Sequence, residues 1–339
     1  MKSKITNKAV RISLKLLIVI LLVSCTPQIG IQKPLVTHAV EYKNGVSYLW
    51  SLDNIYTVQD DFQPAMSASS NIVCFLGDTT FPPRHNVSCF DTVGKTKWQK
   101  KSGTTNGILV SDGVYVTYGG RPGVEKYDIE GSLLWDYSFK GMGVVYIYLQ
   151  EDNLHLFLLP ERSVILSANS GMIIEETQGE SIIFQTPTEQ LVKESMLVSR
   201  SVDTHQINWE FFIGNSVRLA PLITDDVIFL RTGRTVGVIQ AIDRKTGNLL
   251  WQLDDDVISN VILLPELNSV CALTRDGRVI TIQIQSGASE ILAIFSSVPF
   301  ILNGEDVVGG YELAYDQKAN ILYVLLGDSR QLFAFQLDE

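Results

Sequence analysis

Four histidines, four cysteines and runs of adjacent aspartates are the residues whose chemistry stands out in this 339-residue chain. A metal centre would need them at ligand spacing, but His38, His85, His155 and His205 are scattered and lack the short-range pairing of a zinc site. Asp225-Asp226 and Asp254-Asp255-Asp256 read as solvated turns. Calcium takes roughly six to eight oxygens from alternating loop positions, which consecutive acids do not supply. No Gly-x-Ser-x-Gly elbow and no His-Glu-x-x-His is present, and Gly119-Gly120-Arg121-Pro122-Gly123 reads as a hairpin, not a phosphate cradle. The chain therefore offers no catalytic, cofactor-binding or metal-binding residue. The expectation is a protein that is not an enzyme and carries no cofactor.

Cys25 carries a different chemistry. Lys2, Lys4, Lys8, Arg11 and Lys15 precede an apolar run, Leu16 to Val23, and then Ser24-Cys25. A basic segment, a short apolar segment and a small residue before the cut form a secretory signal. Eight apolar residues rise only about 12 Å as a helix, against a hydrocarbon core of about 30 Å. Leu22-Val23-Ser24-Cys25 resembles the lipobox of bacterial lipoproteins, which implies acylation of Cys25 and anchoring on the extracytoplasmic face of a bacterial membrane. The chain then divides into a signal peptide (1–24), a lipidated tether (25–40) and a single folded domain (41–339).

Composition and charge narrow the partners. With 45% hydrophobic and 19% charged residues the body is globular. The whole chain has a formal charge of −10, and loss of residues 1–24 leaves 22 basic and 37 acidic residues, net −15. Such a surface repels nucleic acids and anionic headgroups. Other envelope proteins are the expected partners. Membrane contact is expected through the anchor alone, with no nucleic acid and a monomeric state.

The body repeats. Val227-Ile228-Phe229-Leu230 and Val238 to Ile242 are short β-rich runs, followed by Asp243-Arg244-Lys245-Thr246-Gly247-Asn248-Leu249-Leu250-Trp251. The plan recurs with Val114-Tyr115-Val116 and Asp128-Ile129-Glu130-Gly131-Ser132-Leu133-Leu134-Trp135. Asp243 and Asp128 are suited to receive backbone amides, and Gly247 and Gly131 to supply the positive φ of a tight turn. The tryptophan suits the gap between stacked sheets. Anchors at Trp98, Trp135, Ile174, Trp209, Trp251 and Leu292 are spaced 37, 39, 35, 42 and 41 residues apart, the length of one four-stranded propeller blade.

The Asp-x-x-Thr-Gly-x-x-x-Trp pattern of Asp243, Thr246, Gly247 and Trp251 resembles the pyrroloquinoline-quinone-type (PQQ-like) propeller repeat, over essentially residues 41–339. Relatives that bind the quinone carry a disulfide between adjacent cysteines, a tryptophan floor and a calcium ion. Cys25, Cys74, Cys89 and Cys271 include no adjacent pair. Lipobox and repeat together resemble the BamB-type lipoprotein of outer-membrane barrel assembly. That resemblance implies a protein-interaction scaffold in envelope protein assembly. The alternative is a quinoprotein-like or other extracytoplasmic enzyme using the central funnel. A third reading, carbohydrate binding, rests on Tyr118, Tyr137 and Tyr311 as exposed aromatics.

Two structural expectations complete the reading. Cys74 and Cys89 flank a loop on neighbouring strands, so a disulfide and two buried thiols both stay open; Cys271 reads as a small core residue. The C-terminal unit has three strands and then stops. Residues 45–53, with Trp50, match the outer-strand pattern and are expected to pair with 331–337 as the missing fourth strand. The result is an all-β propeller of seven four-stranded antiparallel blades, eight being the alternative.

Overall fold

The computed structural model describes residues 40–338, apart from 44, 54, 58–64, 79–86, 102–104, 119–122, 140–142, 159–161, 180–181, 194–195, 214–220, 234–236, 296–310 and 328–329. Residues 1–24, expected as a signal peptide, Cys25 and His38 thus lie outside the described residues, as does His85. No helix among the described residues is long and apolar enough to cross a membrane.

Seven antiparallel sheets follow one another along the chain. They are blade 1 (66–100), blade 2 (105–138), blade 3 (144–178), blade 4 (182–212), blade 5 (222–257), blade 6 (262–295) and blade 7 (311–337). Sequence accounts for the layering within each. The central strands Val227–Arg231 and Ile321–Leu326 are buried along their whole length, because a neighbouring blade covers each face. The outer strand Leu249–Val257 alternates exposed and half-buried residues until Val257, which is buried, since only one of its faces meets a neighbour.

Blade 7 contributes only three strands of its own, and Val46–Leu52 supplies the fourth, running antiparallel to Gln331–Leu337 from Val46↔Leu337 to Leu52↔Leu332. Ends far apart in sequence thus share one sheet, which removes an open edge. Two short strands escaped the sequence reading, and one of them, Tyr56–Thr57, pairs with Gly77 and Asp78 of blade 1. The other, Val40–Tyr42, pairs with the outer strand of blade 6 (Val40↔Phe295, Tyr42↔Ala293). The β-pattern of three residues beside a polar stretch is too short to stand out. A second departure concerns Asp254, Asp255 and Asp256, which lie within the strand Leu249–Val257 and not at a turn. Asp255 faces Arg278 at 3.4 Å and Asp256 faces Arg275 at 4.0 Å, both in blade 6.

Alternate residues of each central strand face opposite junctions, so packing is organised between blades. Cys74 and Leu76 pack toward Val114 and Val116 of blade 2, while Val73 and Phe75 pack toward Tyr323 and Leu325 of blade 7. Equivalent apolar clusters join blades 2 and 3, 4 and 5, 5 and 6, and 6 and 7. The junction between blades 3 and 4 has none among the described residues.

Candidate functional site

The sequence-derived repeat residues build the junctions. Trp98, Trp135 and Trp251 lie four residues after the glycine of their own turn, Trp209 four after His205 and Trp50 five after Gly45, and each crosses to the turn of the next blade. Trp50 Nε1 donates to the Thr92 carbonyl (2.7 Å), Trp98 to Ile129 (3.2 Å), Trp135 to Ala168 (2.9 Å), Trp209 to Arg244 (2.8 Å) and Trp251 to Ile284 (2.7 Å). Asp243 caps its turn by accepting from the Thr246 hydroxyl and amide and from the Lys245 amide. The Thr246 hydroxyl leads the causes that hold its carboxyl below the usual range. Asp128 does the same for Ser132 and Glu130, the Ser132 amide leading. Cys74 and Cys89 are cross-strand partners whose sulfurs are joined, with Cα atoms 4.1 Å apart. They share a row with Trp98 on the blade 1 face that meets blade 2. Cys271 is a buried free thiol.

These residues hold the ring and leave little for chemistry. The axial channel, about 290 Å³, is lined by inner-strand residues such as Met66, Leu109, Ile147, Leu222, Leu263 and Leu313. Asn260, on its wall, spends its amide bridging both backbone groups of Leu313. A quinone with calcium does not fit this lining: among the described residues it presents no carboxylate, and all five tryptophans are committed to blade junctions. Among the described residues no group of His, Cys, Asp and Glu could hold a metal ion. The carbohydrate reading also loses its support, because Tyr118 and Tyr311 are buried and Tyr137 packs on Phe139 with ring centroids 5.0 Å apart.

Among the described residues, a polar seam lies between blades 3 and 4. On blade 3 the row facing the seam is His155, Ile165 and Glu175, paired across three strands. The corresponding row on blade 5 is Phe229, Ala241 and Trp251. Glu175 therefore stands where a tryptophan stands in five blades. Ile174, expected as the anchor, is instead the residue skipped at the strand's bulge, and it is exposed. Blade 4 answers with polar groups: Arg200 donates to the Gln190 amide oxygen through Nε (3.0 Å) and Nη2 (2.8 Å), and Gln190 donates to Gln185 (3.0 Å).

The result is a recess of about 230 Å³ lined by Gln150, Glu151, Asn153, His155, Ile165, Ile174, Glu175, Gln185, Thr186 and Pro187. His155 ends a stack of rings, lying on Tyr148 (4.4 Å, 15°), which lies on Phe184 (5.6 Å, 24°). Arg244 covers Phe184 at 4.6 Å. Burial pushes the His155 imidazole down to about 4, so it is neutral at physiological pH. Chemically the recess offers acceptors beside a flat ring face. The scattered histidines gave no hint of it in sequence. The signal that could have found it is the offset of four residues from turn glycine to tryptophan, which from Gly171 falls on Glu175.

The fold defines the class: a seven-bladed β-propeller of PQQ-like repeats, closed by its own N-terminal strand. Within this propeller, residues 192–292 match the family described as outer membrane protein assembly factor BamB. No curated protein matches the sequence. Among solved structures, BamB from Moraxella catarrhalis is similar at 14% identity and TM-score 0.51, over 88% of this chain and 97% of that one. A chain of a mitotic checkpoint complex is similar at 12% identity and TM-score 0.64 (88% and 97%). The Pan2 WD40 domain of Neurospora crassa follows at 10% and 0.61 (88% and 100%). At these identities the likeness is one of fold.

Proposed function

We propose that this chain is an extracytoplasmic propeller, anchored through acyl chains on Cys25, that serves as a protein-interaction scaffold in the assembly of envelope proteins. The observation that carries this reading is how the side chains of the ring are used. Tryptophans, disulfide and apolar clusters are spent on blade adhesion, while one polar recess at a seam is left open for recognition. The match of residues 192–292 to the assembly-factor family supports the same reading. So does the acidic surface, which leaves membrane contact to the anchor.

The test uses the full chain in its own membranes. After cross-linking, a single envelope protein is expected to co-purify in stoichiometric amount. Cys25→Ser is expected to release the protein to the soluble fraction and abolish fatty-acid labelling. Retention of Cys25→Ser in the membrane would remove the anchor from the proposal. Absence of any stoichiometric partner would remove the scaffold.

A further inference from the structure

We propose that the recess between blades 3 and 4 is a receptor for the guanidinium of an arginine side chain presented by a partner protein. This rests on the scaffold reading for the source of the arginine, and on the recess itself for the chemistry. Three independent observations point to a planar, donor-rich cation.

First, the acceptors are unspent. His155 is only 9% exposed, yet no described hydrogen bond reaches its imidazole, and it lines the recess. The Gln150 Oε1 is buried without a hydrogen-bond partner. Unsatisfied buried acceptors are costly and call for a donor. Second, Glu151 and Glu175 line the recess and have no ion-pair partner among the described residues. With His155 neutral, the charged groups lining the recess are these two carboxylates. Arg200, the nearby cation of the seam, is turned to Gln190 and does not line the recess. Third, His155 closes a ring stack that Arg244 caps at its other end. A guanidinium stacks on flat rings and donates from five N–H groups, whereas an ammonium is a compact charge without a plane. The site also costs the fold a staple. Five junctions hold a tryptophan, and here the register places a carboxylate instead.

The experiment titrates the full chain with N-acetyl-arginine methylamide, following the His155 ring resonances, with the lysine and norleucine analogues as controls. Saturable shifts are expected for arginine, at least threefold weaker binding for lysine and none for norleucine. Glu151→Gln with Glu175→Gln, both at exposed positions, should weaken arginine binding tenfold or more. Glu175→Trp with His205→Gly rebuilds the junction used elsewhere in the ring, and should abolish binding while raising the unfolding midpoint. Equal shifts by lysine and arginine, or binding that survives both double variants, would overturn the proposal. The same variants in the membrane cross-linking assay separate the two readings. A partner retained by wild type without arginine binding sinks the receptor and leaves the scaffold. Arginine binding without any partner sinks the scaffold and leaves the recess chemistry.

Discussion

Gly247 lies under the indole of Trp209, so close that a Cβ on the glycine would stand 2.7 Å from Trp209 Cδ2. The pair spans the junction between blades 4 and 5, and the same contact recurs as Gly94–Trp50, Gly131–Trp98, Gly171–Trp135 and Gly287–Trp251. Positive φ (72° at Gly247) is therefore only half of what the position demands. Where the preceding blade brings no tryptophan, the turn tolerates a side chain: His205, under blade 3, holds φ 55°. Gly247→Ala should cost about 2–4 kcal/mol, roughly 1 from the left-handed backbone and the rest from displacing the ring. Trp209→Ala should cost about 3–5 kcal/mol. In the Trp209→Ala background the glycine substitution should fall to about 1 kcal/mol, a coupling that a double-mutant cycle measures. Additive costs would mean that the ring does not set the glycine.

Ring closure depends on Trp50. Its strand is the first described strand of blade 7 in sequence and pairs with the last, Trp50 opposite Ala334. Its indole packs on Tyr323 at 5.9 Å and bonds to Thr92 of blade 1. Trp50→Ala should lower stability by about 3 kcal/mol, the lower end of the range for emptying a buried aromatic site, because the ring is half-buried. Chemical denaturation should also show a shallower, less cooperative transition as blade 7 frays first. A full-slope transition with unchanged midpoint would show that closure does not depend on this ring.

The disulfide Cys74–Cys89 closes a loop of 15 residues between strands already in register. Such a loop contributes about 3 kcal/mol through the unfolded chain. Both cysteines are fully buried, so native protein should resist dithiothreitol and become reducible only in denaturant. A non-reducing mass map should recover the cross-linked peptide pair, and Cys74→Ala with Cys89→Ala should lower the denaturation midpoint accordingly. Two free thiols in protein prepared under oxidising conditions would contradict the bond.

Much of this architecture was legible because the repeat is written in residues with one physical use each. The Asp243-to-Gly247 turn and Trp251 announce a hairpin and a blade junction, and seven such outer strands predict seven blades. The seam between blades 3 and 4 was illegible for the opposite reason. Its elements come from positions where the pattern fails, and a missing tryptophan looks in sequence like a weak copy. Whether Ile174 or Glu175 replaced it is decided by a bulge, which shifts the facing residue by one and leaves no mark in composition. His155 looks like any lone histidine until Tyr148 and Phe184, on two different blades, are brought against each other by folding.

Blade 7 is also held to blade 1 by a buried carboxyl. Glu312, 5% exposed, accepts the backbone amides of Ala65 (2.7 Å) and Met66 (2.8 Å) just before and at the start of blade 1. Burial pushes its carboxyl up to about 8, against the opposing pull of the two amides. The unfolded chain releases this proton near the ordinary value of about 4.3, while the folded protein keeps it. Between those two values the native state binds more protons than the unfolded state, so stability falls as pH rises. The contribution is complete below about pH 4, declines through the window up to about 8 and is lost above it. At 1.36 kcal/mol per unit the decline is a few kcal/mol, on the order of 3–5. Glu312→Gln does not titrate, so the wild-type minus variant difference in unfolding free energy isolates this group. That difference should shrink steadily from pH 5 to 8. A difference that stays flat across the window would mean that Glu312 ionises in the fold as readily as in the open chain, with the two amides outweighing its burial.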